Sequence, residues 1–183
     1  MSLTPFSQLQ RIAQVYGIRH PGSRVEGVEC ETWDVTSEES SRVFTTAPKT
    51  MIREEIPNVL LASARPGYDF GRNRPVATVV VTDWMNAVRE AGARSILCLL
   101  DDQHLCLYES VSGGLLEGYR ETGLAVVHVP VTDHADPPLT QEQRQAVEQQ
   151  FHAMPKPVLV HCSAGVGRTG AVVAHLKAVL GDK

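Results

Sequence analysis

Residues 161–170 read HCSAGVGRTG and follow the apolar run PKPVLV. Cys162 is a candidate nucleophile. Arg168 carries a planar, permanently charged fork that matches two oxygens of a phosphate. Between them lie Ser163, Ala164, Gly165, Val166 and Gly167. These residues are small, and the two glycines let the backbone curl so that successive N–H groups converge on one centre. A ring of N–H donors at the start of a helix is an anion site, and its positive field suits a thiolate nucleophile aimed at that anion. Thr169 is expected to donate its hydroxyl to the sulfur. His161 precedes the nucleophile on a strand, so its side chain points the other way, and it is assigned to organising the loop.

Such a loop needs a strand to deliver the cysteine and a helix to start at the arginine. KPVLVHC (156–162) reads as a buried strand. RTGAVVAHLKAVLG (168–181) reads as a helix with Val172, Val173, Leu176, Val179 and Leu180 facing inward. Upstream, NVLLAS (58–63), SILCLL (95–100) and LAVVHVPV (124–131) read as further strands. TDWMNAVREAG (82–92) reads as a helix with Thr82 as N-cap and Gly92 as stop, and GGLLEGYRETG (113–123) as a weaker one. LTQEQRQAVEQQFHAM (139–154) is the clearest helix: Thr140 and Gln143 form a capping box, and Val147, Phe151 and Met154 share a face. Strands alternating with helices predict an α/β fold with a central, mostly parallel sheet flanked by helices, with the phosphate loop between the last strand and the following helix. Ligands in such folds bind beyond the carboxyl ends of the strands, where Cys162 falls. Residues 1–55 read as an accessory arm with a helical start at PFSQLQRIAQVYG, and residues 56–183 as the catalytic domain.

The bulk numbers narrow the function classes. The 183 residues suffice for one domain with a substantial core. The 17 basic and 21 acidic residues leave a net charge of -4, which disfavours nucleic acid as a partner. No run approaches a membrane span, and MSLTPFSQLQ lacks the pattern of a signal peptide. The expectation is therefore a cytoplasmic protein without a membrane partner. The four cysteines, Cys30, Cys98, Cys106 and Cys162, contain no C-x-x-C pair, so neither a zinc site nor a disulfide framework is expected. Cys98 reads as a core residue, and Cys30 and Cys106 as having no chemical role.

HCSAGVGRTG resembles the H-C-x-x-G-x-x-R-[ST] signature of the cysteine-based protein tyrosine phosphatases, in particular their dual-specificity branch. All five fixed positions are present: His161, Cys162, Gly165, Arg168 and Thr169. The resemblance extends over roughly residues 56–180, through IPNVLLASARPG and REAGARSILCLLDD. It implies a general acid about thirty residues before the cysteine. VPVTDHADPPLTQEQ offers Asp133, 29 residues before Cys162, and Asp136, 26 before. Asp133 is preferred because it directly follows the VPV strand, with Asp136 as the alternative; His134 reads as a loop residue. Implied too is a two-step hydrolysis: Cys162 attacks phosphorus, Arg168 and the loop N–H groups hold the oxygens, and Asp133 first protonates the leaving oxygen and then activates water. No metal or other cofactor is implied. Two departures stand out. Residues 1–55 have no counterpart, and the sequence ends 21 residues after Cys162, short of the further helices usual in relatives.

The expected substrate is a phosphorylated protein or peptide, either phosphotyrosine alone or, with dual specificity, phosphoserine and phosphothreonine as well, with inorganic phosphate as product. The loop interior carries no lysine, which leans away from phosphoinositides. Alternatives are a phosphoinositide, inositol-phosphate or RNA 5′-phosphatase, or a phosphate-reading pseudophosphatase without turnover. Arg65, Arg72 and Arg74 either line the entrance or sit on a solvated loop.

Overall fold

A computed structural model describes residues 52–70 and 73–181. The helical start expected at PFSQLQRIAQVYG lies outside the described residues, as do Arg72 and Cys30. Five strands form one sheet: β1 (Arg53–Ile56), β2 (Leu60–Ala64), β3 (Ser95–Cys98), β4 (Ala125–His128) and β5 (Val158–Cys162). Their order is β1-β2-β5-β3-β4. β1 runs antiparallel to β2, and every other pairing is parallel. The helices are α1 (Thr78–Glu90), α2 (Asp102–Leu105), α3 (Leu115–Glu121), α4 (Gln141–Ala153) and α5 (Gly167–Leu180), with a 3₁₀ turn at Cys106–Tyr108.

The central strand β5 is buried at every position, because both faces of the sheet are covered. Its side chains alternate between two cores. Val158, Val160 and Cys162 face one side with Leu60, Ala62 and Leu97, where Val147 and Phe151 of α4 and Val172, Val173 and Leu176 of α5 pack. Leu159 faces the other with Leu61, Ile96 and Cys98, where Trp84, Met85 and Val88 of α1 and Leu115 and Tyr119 of α3 pack. The parallel register sets Ala64 beside Cys162 and Cys98 beside both His161 and His128. The carboxyl ends of four strands therefore reach one edge together, and the segments following them carry Arg65, Asp101, Asp133 and Arg168.

Several elements differ from expectation in physically instructive ways. α1 begins at Thr78, and Thr82 sits inside it, donating its hydroxyl back to the Thr78 carbonyl at 3.1 Å. The run of β-branched residues before Thr82 disfavours a helix locally, but Val81, Trp84, Met85 and Val88 gain burial on one helical face. In α3, Gly113 and Gly114 both take positive φ and end the preceding turn, so the helix starts only at Leu115. The inward stripe of α5 stops at Leu176. Val179 and Leu180 are 42% and 41% exposed, since no described element covers the last turn. β1 and α2 were not anticipated, and β1 places the start of the sheet at Arg53. The capping box on α4 forms as expected from Thr140 and Gln143.

Cys98 and Cys162 are free thiols, both buried. Among the described residues, no helix is long and apolar enough to cross a membrane. Phe151 is buried in the core and Val179 lies in the uncovered turn. Urea titration should therefore show Phe151→Ala losing about 3–5 kcal/mol, and Val179→Ala no more than about 0.5 kcal/mol.

Candidate active site

β5 ends at Cys162 and α5 begins at Gly167, so residues 163–166 form the loop between them. Cys162, Arg168 and Thr169 are all buried, at 2%, 3% and 0% exposure. Three loop carbonyls are engaged on the outside. The Ser163 carbonyl accepts from the Arg65 N–H at 3.0 Å, and the Val166 carbonyl from the Gly170 N–H at 2.6 Å. The Gly165 carbonyl accepts from Arg53 Nη2 at 2.7 Å. Tying the carbonyls outward leaves the N–H edge for the concave side, the polarity an anion cradle needs. Gly165 makes this curl possible. Its φ is +71°, and a Cβ there would lie 2.4 Å from the Ser63 carbonyl oxygen and 2.5 Å from the Ala64 nitrogen.

Arg168 is fixed by one half of its guanidinium. Nη1 donates to the Val131 carbonyl at 2.8 Å and to Leu99 at 3.4 Å. Nε and Nη2 are buried without a hydrogen-bond partner, as is Thr169 Oγ1. Buried N–H groups without partners are costly, and these two form the bidentate edge that a phosphate would satisfy. Nη2 lies 2.9 Å from Asp133 Oδ1, a charge contact that is not an aligned hydrogen bond. The Thr169 hydroxyl does not bond the sulfur here, contrary to the expectation for it; it is a buried donor with no acceptor.

The two acid candidates separate clearly. Asp133 reaches Arg168, while Asp136 is exposed further along the loop. Asp133 also has its backbone N–H on Asp101 Oδ2 at 3.2 Å. Asp101 caps α2, accepts from the His104 N–H at 3.0 Å, and lies 2.6 Å from His104 Nδ1. Its second oxygen is 3.6 Å from Arg168 Nη1. Burial pushes the Asp101 carboxyl upward, but the hydrogen bonds from His104 and the charges of His104 and Arg168 outweigh it and hold it down at about 2. His134, expected to be a loop residue, is 95% exposed.

His161 lies buried behind the loop, on the opposite face of β5 from Cys162. Burial pushes its imidazole down to about 3, so the ring is neutral. Nδ1 lies 3.4 Å from the Cys162 carbonyl, which only accepts, so Nδ1 carries the hydrogen. Nε2 is then the acceptor for the Tyr119 hydroxyl at 3.2 Å. Trp84 stacks on Tyr119 and meets His161 edge-on, with centroids 5.3 and 5.4 Å apart, and donates from Nε1 to the Ala64 carbonyl at 3.1 Å.

Arg65 belongs neither to the entrance nor to a solvated loop. It is 2% exposed and donates from Nε to Ser163 Oγ, from Nη1 to the Pro66 carbonyl and the Tyr108 hydroxyl, and from Nη2 to Asn73, each at 3.3 Å. Arg74 is on the surface, 2.5 Å from Asp69. The sequence reading missed Arg53, Asp101, His104 and Tyr119. Of these, only Asp101 carried a local signal, as an acidic residue directly after the strand SILCLL. Among the described residues, no group of three or more His, Cys, Asp or Glu is placed to hold a metal ion.

Gly165→Ala is expected to abolish phosphate binding in calorimetry, because the added Cβ runs into the Ser63–Ala64 peptide and the residue must hold a positive φ. His161 supplies a pH test. Its folded-state value lies below that of the unfolded chain, so unfolding takes up a proton between about pH 6.5 and about pH 3, and stability falls as pH drops through that window. Unfolding near about pH 5 should take up about one proton more in the wild type than in His161→Gln, read from the slope of unfolding free energy against pH.

The family described as Tc-R-P, "Polymorphic toxin system, DSP-PTPase phosphatase", matches residues 70–181. No curated protein matches the chain. Among solved structures, a DUF442 protein from Shewanella putrefaciens CN-32, described as a candidate phosphatase, aligns with 72% of this chain and 73% of its own. It is 23% identical, with a TM-score of 0.47. With the signature loop closed around a buried arginine, and a family match over more than half its length, this chain belongs to the DSP-PTPase phosphatases of polymorphic toxin systems, within the cysteine-based protein tyrosine phosphatase superfamily.

Proposed function

We propose that this phosphatase hydrolyses phosphomonoesters of protein, phosphotyrosine foremost, through a cysteinyl-phosphate on Cys162. The observation that carries the reading is the buried Arg168 edge, Nε and Nη2, left without hydrogen-bond partners beside the cysteine loop while Nη1 is held by two carbonyls. In the first step the Cys162 sulfur attacks phosphorus as the P–O bond to the leaving group breaks. Asp133, entering protonated, gives its proton to the departing oxygen. Arg168 and the loop N–H groups hold the three remaining oxygens as charge redistributes. In the second step the Asp133 carboxylate takes a proton from water, the oxygen attacks phosphorus, the S–P bond breaks, and inorganic phosphate leaves. Atoms and protons balance over the cycle without a cofactor.

Two features support an aryl phosphoprotein substrate. The loop side chains Ser163, Ala164 and Val166 carry no charge that would select a polyphosphorylated headgroup. Val166 is 68% exposed, offering an apolar contact beside the cradle. Dual specificity toward phosphoserine and phosphothreonine belongs to the same reading.

Hydrolysis of phosphotyrosyl peptides by wild type, Cys162→Ser, Asp133→Asn and Asp136→Asn tests the proposal. Cys162→Ser should be inactive. Asp133→Asn should lose about 10²-fold or more in kcat, and Asp136→Asn should stay within about twofold of wild type. Binding of phosphopeptide by the wild type without turnover would instead make this a phosphate-reading domain.

A further inference from the structure

His104 takes no part in the mechanism above, yet it is buried at the edge of the site. Its side chain is 7% exposed. Nδ1 lies 2.6 Å from Asp101 Oδ1 and Nε2 lies 3.5 Å from Asp133 Oδ2. The imidazole thus bridges two carboxylates from different segments, the cap of α2 and the loop after β4. The charged and titratable groups facing this cluster are Asp101, Asp133 and Arg168, with His134 on the solvent side at 3.9 Å from Asp133.

The two ring nitrogens have different roles. Asp101 is ionised throughout the working pH range, so Nδ1 beside it carries a hydrogen. Nε2 is left facing Asp133, close enough for the imidazole and the carboxyl to share a hydrogen. Asp133 also has a second contact, to Arg168 Nη2, which is the donor edge a substrate phosphate would occupy. When phosphate takes that edge, His104 is the buried side chain still beside Asp133, with the exposed His134 on the solvent side.

We propose that His104 is the positioning residue of the general acid: anchored by Asp101, it engages the Asp133 carboxyl through Nε2 and keeps that carboxyl over the pocket once substrate has taken Arg168. This rests on the reading of Asp133 as the acid. The arrangement is a carboxylate–imidazole–carboxylate chain, with Nδ1 on Asp101 and Nε2 on Asp133. The proton transferred in each turnover remains that of Asp133, so the two-step balance is unchanged.

A positioning residue for an acid matters most when the leaving group needs protonation. Wild type, His104→Ala, His104→Gln, Asp133→Asn and the double variant His104→Ala/Asp133→Asn would be assayed on phenyl phosphate, a poor leaving group, and on 2,4-dinitrophenyl phosphate, a good one. Phosphate binding by calorimetry reports whether the cradle is intact in each. His104→Ala should lose about tenfold or more in kcat on phenyl phosphate and less than about threefold on the dinitrophenyl ester, with little change in KM. His104→Gln, which keeps an amide near the position of Nε2, should recover part of the loss. In the Asp133→Asn background, His104→Ala should cost nothing further on either substrate. Equal losses on both esters, or an undiminished loss in the Asp133→Asn background, would overturn the role of His104 and leave the phosphatase reading standing. An inactive wild type on both esters would instead remove the hydrolase reading beneath it.

Discussion

The site depends on how one guanidinium is held. Arg168 stands in the first turn of α5, and its Nη1 donates to the Val131 and Leu99 carbonyls beyond the ends of β4 and β3. Those two bonds lock the helix start to the sheet edge and orient the rest of the fork toward the cysteine loop. A buried arginine without such bonds would be prohibitively desolvated. The price of the arrangement is an unpaired donor edge, and that edge is what gives the loop its use. Parallel pairing of β2, β5, β3 and β4 makes this possible, since it brings the segments carrying Arg65, Cys162, Asp101 and Asp133 to the same side of the molecule.

Around that arginine the fold works to keep the loop turned with its carbonyls outward. Arg53 of β1, the Arg65 N–H and the Gly170 N–H each take one carbonyl. Arg65 braces Ser163 from a buried position, itself held by Pro66, Tyr108 and Asn73. His161, Tyr119 and Trp84 form a packed aromatic layer behind the nucleophile, with the histidine kept neutral by burial. Cys98 adjoins His161 in the sheet but faces the opposite core from Cys162, and burial pushes its thiol up to about 12. Among the described residues, two free cysteines thus lie one strand apart on opposite faces of the sheet: Cys98 is packing, and Cys162 opens the loop.

Much of this was legible in the sequence, for identifiable reasons. The loop and its helix announce themselves because Gly165, Arg168 and Cys162 are tied to backbone geometry within ten residues. The alternation of strands and helices is visible because fully buried strands such as VLVHC have few competing readings. The capping box of α4 is a local chemical motif and was found in place. What escaped depends on partners distant in sequence. His104 acts through Asp133, 29 residues later, and Arg53 through Gly165, more than a hundred later. Arg65 looked like a loop cation because its local sequence, SARPG, is turn-like; its burial follows from Tyr108 and Ser163, which local pattern does not connect. The overextended stripe on α5 shows the opposite failure, in which helical period is right but nothing packs over the final turn.

The central claim is that the cradle holds phosphate so that the cysteine within it can take the phosphoryl group. Acid quenching during turnover of a phosphotyrosyl peptide, followed by peptide mass analysis, tests it directly. The account predicts one phosphoryl group on the peptide bearing Cys162, absent in Cys162→Ser. Sustained turnover with no phosphoryl group on that peptide, or with one on a different residue, would contradict it.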